Sequence, residues 1–132
     1  MRVYISGKIG EYTPSAEVLD KFARAEKMLK AKGYATFNPT TSGFGKMADL
    51  LVEKAKAEGV ETTWYAEIMK LDIEALSFCN AIYMLEDWEQ SNGAKVELSF
   101  AMAISIRILW QNLEDAQVYH NDNETAEEVW LP

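Results

Sequence analysis

Two carboxylates in this chain sit where carboxylates are costly. The run Glu86-Asp87-Trp88-Glu89-Gln90-Ser91-Asn92-Gly93-Ala94-Lys95-Val96-Glu97 leaves an apolar strand, crosses a polar turn and enters a helix that is apolar on nearly every side. Glu97, about one turn inside that helix, feels the partial positive charge of its start, which favours the ionised form. Burial among Val96, Phe100 and Ala101 opposes this and raises the pKa. A carboxylate kept charged but poorly hydrated serves as a nucleophile, or as a partner for a developing cation. The plainer alternative is a glutamate paired with a nearby lysine or capping the turn. Asp72 is the second acid. It falls on the stripe Tyr65, Met69, Asp72, Leu76, Cys79 rather than on the Glu67/Lys70/Glu74 face. There it either donates a proton or binds hydroxyls, or else caps a backbone amide.

Two turns flank these acids. Ser91-Asn92-Gly93-Ala94 offers a hydroxyl, a cap and a close-approach glycine at a helix N-terminus, the outline of an anion site. Gly7-Lys8-Ile9-Gly10 is a flexible turn that matches neither a Walker loop nor the dinucleotide fingerprint. Tyr4 and Trp88 neighbour the turns, for base stacking or for ordinary packing. His120 reads as a surface histidine, and Cys79 and the six Met as core filler.

The elements that must position these groups alternate strand and helix. Arg2 to Ser6 reads as a strand, and Thr13-Pro14 opens a helix carrying Val18, Phe22, Ala25 and Leu29 to a stop at Gly33. Tyr34 to Phe37 is the second strand. Residues 40 to 61 hold a loop and a possible helix, Lys46 to Glu58, which either covers a pocket or is a plain surface helix. Thr62-Thr63 caps a helix to about Phe78, and Ala81 to Leu85 is the central strand. Arg107 to Trp110 reads as a fourth strand and Ala116 to Tyr119 as a weak fifth. Such alternation argues an α/β, doubly wound parallel sheet with helices on both faces. Ligands collect beyond the carboxyl ends of its strands where the order reverses, so the Gly7 to Gly10 and Glu86 to Gly93 turns are expected to flank one crevice.

Length and charge narrow the classes further. The 132 residues, 48% hydrophobic with four Trp, suit one globular domain, expected over 1–120 with an acidic tail at 121–132. Of 21 acidic residues, six follow Arg107, leaving 15 against 13 Lys and Arg in the body, and no basic stripe appears. That argues against a nucleic-acid or membrane-surface binder. No apolar run reaches membrane-spanning length and no signal-peptide pattern appears, so a cytoplasmic protein is expected. One Cys and one His, far apart, form no metal cluster, and no cofactor is expected.

Taken together, Val3-Tyr4-Ile5-Ser6-Gly7-Lys8-Ile9, the Met69 to Leu76 helix with Asn80-Ala81-Ile82-Tyr83, and Trp88 through Glu97 resemble the nucleoside 2-deoxyribosyltransferase superfamily, from Met1 to about Trp110. The match is nearest a branch common in bacteria and phages. The resemblance implies a flavodoxin-like sheet of order 2-1-3-4-5. It implies cleavage of the N-glycosidic bond of 2'-deoxynucleosides by double displacement, with Glu97 as the nucleophile, Asp72 at the sugar and base, and Tyr4 steadying Glu97. Ser6, Gly7, Lys8, Ile9, Trp88, Ser91 and Gly93 would then line the substrate.

Ser91, six residues before Glu97, is similar to the Ser of the 2'-deoxynucleoside 5'-monophosphate N-hydrolases, where the free-nucleoside transferases carry Asp. A hydroxyl at a helix N-terminus suits a phosphate, so a monophosphate substrate is expected. Lys95 departs from the hydrolases' glycine, and either contacts the phosphate or faces solvent. Relatives complete their sites from a neighbouring subunit, so at least a homodimer is expected, with Val129-Trp130-Leu131 docking on the partner. The alternatives are a nucleotide-binding or sensing module without turnover, and a structural interaction protein.

Overall fold

Four short apolar runs form the sheet, and the alternation of their side chains divides the core in two. The computed structural model describes residues 1–10 and 12–132. The strands are β1 Arg2–Ser6, β2 Ala35–Phe37, β3 Ala81–Met84 and β4 Arg107–Trp110, all parallel in the order β2-β1-β3-β4. Tyr4, Ile82, Met84 and Trp110 face one way, into a core shared with α3 Trp64–Ser77 and α4 Asn92–Ala103. Val3, Ile5, Tyr83 and Leu109 face the other, onto Phe22, Ala25 and Leu29 of α1 Ala16–Ala31. Central strands buried on both faces read as continuous apolar runs. This is the expected doubly wound α/β sheet in a flavodoxin-like arrangement, with four strands.

Local chemistry sets the boundaries. Ser15 caps α1, its hydroxyl accepting from the Val18 N–H, so the cap lies just past the expected Thr13-Pro14. Helix α2 spans Phe44–Ala57 and packs chiefly on α3. The largest departure is Ala116 to Tyr119, expected as a strand and found within α5 Leu113–Tyr119. Asn112 caps that helix by accepting from the Asp115 N–H, and Glu114 and Asp115 suit the positive end of its first turn. These start signals outweigh the strand preference of Val118 and Tyr119.

The C-terminal segment closes the sheet edge that a fifth strand would have covered. Thr125 and Glu128 form a capping box on α6 Ala126–Val129. Trp130 bridges to Trp110 in parallel, and the Leu131 N–H donates to the Trp110 carbonyl at 2.8 Å. Val129 is buried, and the Tyr83 hydroxyl donates to the Leu131 carbonyl at 2.6 Å. The tip expected to dock on a partner therefore docks on its own chain, and residues 121–132 share the core of the preceding residues. Among the described residues no helix is long and apolar enough to cross a membrane.

Truncating Val129 should then cost core burial. Val129→Ala is expected to destabilise the fold by about 1–3 kcal/mol in urea unfolding; a loss under ~0.5 kcal/mol would mean that the segment does not belong to the core.

Candidate active site

The loops after β1 and β3 meet because Gly7 has no side chain. A Cβ there would lie 2.7 and 2.9 Å from Leu85 side-chain atoms and 3.1 Å from Asp87 Oδ1. Asp87 Oδ1 instead accepts from the Lys8 N–H at 3.1 Å. Lys21 of α1 donates to the Lys8 carbonyl at 2.8 Å and pairs with Asp87. The two turns are thereby tied together at the carboxyl edge of the sheet.

Beside them opens a cleft of about 510 Å³, lined by Gly7 to Gly10, by one face of α3 from Trp64 to Asp72, and by Gln90 to Ala94 with Glu97. Ser91 caps α4, its hydroxyl oxygen accepting from the Ala94 N–H at 3.1 Å. Glu97 reaches the cleft wall from the second turn and is 6% exposed. Its Oε2 accepts from the Tyr4 hydroxyl at 2.6 Å and its Oε1 from the Ser6 hydroxyl at 2.7 Å. The Tyr4 ring is stacked on Phe37 at 5.3 Å, and Phe37 meets Phe44 at 5.5 Å, so the hydroxyl is delivered by a packed aromatic column.

Electrostatics separate the two acids. Burial pushes the Glu97 carboxyl up to about 7 against the pull of its two hydrogen bonds. Asp72, 8% exposed, also lines the cleft, and no described residue hydrogen-bonds to its carboxyl. Burial and then the Glu97 charge push it up to about 8. Glu97, with two donors, is the readier of the pair to ionise, and Asp72, buried with none among the described residues, is the readier to keep its proton. The Tyr4 hydroxyl is held well above its ordinary range, first by burial and then by the Glu97 charge, so it stays a donor. An ionised carboxylate beside a protonated one is the division of labour that nucleophile-plus-acid chemistry needs.

Of the residues expected at the site, Glu97, Asp72, Gly7, Lys8, Ile9, Ser91 and Gly93 line the cleft. Tyr4 and Ser6 stand behind Glu97, and Ser6 meets the carboxylate rather than the cleft space. Trp88, expected along the substrate, lies in the core instead. The 3-10 turn Trp88–Gln90 sends it inward against Trp110 and Tyr119, with its N–H donating to Asp115 at 3.1 Å. Lys95 is exposed and is not part of the cleft lining.

Sequence reasoning missed an aromatic wall made by Tyr12, Trp64 and Tyr65. Trp64 is pinned by its N–H to the Gly45 carbonyl at 3.0 Å, and Tyr12 rests on it at 4.7 Å while bonding to Asp49. Helix α2 supports this wall without lining the cleft. The available signal was the four-residue spacing Trp64, Ile68, Asp72, which puts all three on one helical face.

The folded chain holds protons on both acids that the unfolded chain loses from its ordinary 3.8 and 4.5 upward. Stability therefore falls as pH rises from about 4 to about 8, where buried carboxylates must ionise. Asp72→Asn removes one such group. It is expected to gain on the parent by several kcal/mol, up to roughly 6 kcal/mol, between about pH 4 and about pH 8 in thermal or urea unfolding. A pH-independent difference would contradict the buried, uncompensated carboxyl.

No curated protein matches the chain. Residues 1–110 match the family described as a domain of unknown function (DUF4406), and the chain belongs to that family.

Proposed function

We propose that the protein cleaves the N-glycosidic bond of a 2'-deoxynucleoside or its 5'-monophosphate through a covalent glycosyl intermediate on Glu97. The observation that carries this reading is the buried Glu97, held by Tyr4 and Ser6, beside an Asp72 whose carboxyl no described residue satisfies. A Glu97 oxygen attacks C1' as the bond from C1' to the base nitrogen breaks, and the departing base takes the Asp72 proton. The oxocarbenium-like transition state between them is stabilised by the nearby carboxylate. Water, or a second base, then attacks C1', frees Glu97 and returns a proton to Asp72.

The cleft suits such a ligand. Tyr12, Trp64 and Tyr65 offer aromatic surface to a planar base. Lys8, the N-terminus of α4 and the free hydrogen of the Ser91 hydroxyl suit a 5'-phosphate. Val96, Met102 and Ile104 leave apolar surface uncovered on and after α4, which supports self-association now that the C-terminal tip is engaged within the chain. A dimer is expected in sedimentation at micromolar concentration, and a monomer would contradict it.

Chromatography after incubation with dCMP, dGMP and the free nucleosides tests the activity. Free base is expected with the parent, none with Glu97→Ala, and about 10²–10⁴-fold less with Asp72→Asn. Ligand-raised melting temperatures without base release, with Glu97→Ala binding as well as the parent, would replace this reading by a silent binding module.

A further inference from the structure

We infer that Ser6 is a positioning residue, whose hydroxyl takes the Glu97 oxygen that Tyr4 leaves free and so fixes the carboxylate plane towards the cleft. The inference rests on the reading of Glu97 as nucleophile, but its geometry stands apart. Tyr4 and Ser6 are two residues apart on β1 and so share one face of the strand. Each donates to a different oxygen of Glu97, at 2.6 and 2.7 Å, and all three side chains are buried. With one donor a carboxylate still turns about its last bond. Two donors on separate oxygens hold its plane, and each oxygen keeps a second lone-pair site for attack.

The Ser6 hydroxyl makes no other hydrogen bond among the described residues, and the strand does not need it. The Ser6 carbonyl accepts from the Leu85 N–H at 2.8 Å, and the pairing of Ser6 with Met84 is a backbone register that any small residue keeps. The titratable groups nearest Glu97 are Tyr4 on β1 and Asp72 on α3, with Cys79 acting on Tyr4 from the end of α3. Tyr83 of β3 lies in the opposite core, and Glu89 and Lys95 are exposed. Arg107 of β4 pairs with Glu124, and Lys8 lines the cleft. Among these neighbours only the two hydroxyls hydrogen-bond to the charged form of Glu97, so losing one should show directly in its titration.

The test follows the Glu97 side-chain carboxyl carbon by NMR against pH in ¹³C-glutamate-labelled protein, assigned by its loss in Glu97→Gln. In Ser6→Ala the Glu97 midpoint is expected to rise by about one pH unit, and Ser6→Thr, which keeps the hydroxyl, should restore it. With dCMP or dGMP, the acidic limb of kcat/KM should move up with that midpoint while KM stays within about twofold. An unmoved midpoint in Ser6→Ala, with Tyr4→Phe shifting it, would overturn the inference. If the midpoint moves but even the parent releases no base, the glycosidic reading fails while the role of Ser6 in holding the carboxylate stands.

Discussion

Everything at this site depends on a buried carboxylate being held by two neutral hydroxyls and, among the described residues, no cation. A salt bridge would secure Glu97 more firmly, but it would also drop its pKa and quench it as a nucleophile or as a partner for a growing positive charge. Hydroxyl donors give less. They lower the cost of ionisation without cancelling it, so the carboxyl stays near neutrality at about 7. The sheet supplies the hydroxyls from one strand, α4 supplies the acid, and the β1–β3 pair, buried from Val3 to Ser6 and from Ala81 to Met84, keeps them in register.

The second acid takes its character from burial first and from Glu97 second. Asp72 approaches from α3, is buried without a hydrogen bond from any described residue and then meets the charge of Glu97, so it is the group that holds its proton longer. Two carboxyls of one chemical type are thus driven apart in function by what surrounds them. The cleft is framed by a glycine that lets two loops touch and by a lysine–aspartate pair that ties them. These ties are outside the acids themselves, so the frame and the chemistry are separable in sequence.

Much of this was legible before any coordinates. The strands announced themselves as apolar runs, and Glu97 and Asp72 as acids on apolar helical faces. What escaped were facts set by tertiary placement. Trp88 reads as a neighbour of the turn, but the direction of a 3-10 turn decides that it faces Trp110 and not the cleft. Ser6 reads as the last residue of a strand and, from the resemblance, as a substrate contact, and only the packing of α4 against the β1 face shows its hydroxyl meeting Glu97. At Ala116 to Tyr119 the capping signals of Asn112 outvoted β propensity. The apolar tip at Val129 to Leu131 could cover any apolar surface, and composition does not say whose; here it covers the edge of β4.

The most direct test of the proposed chemistry looks for the bond it requires. The protein would be mixed briefly with dCMP or dGMP, quenched in acid, digested and analysed by mass spectrometry. The account predicts a deoxyribose 5-phosphate adduct on the peptide carrying Glu97, absent from Glu97→Gln. Base release with that peptide unmodified at every time sampled, or an adduct on a different residue, would contradict it.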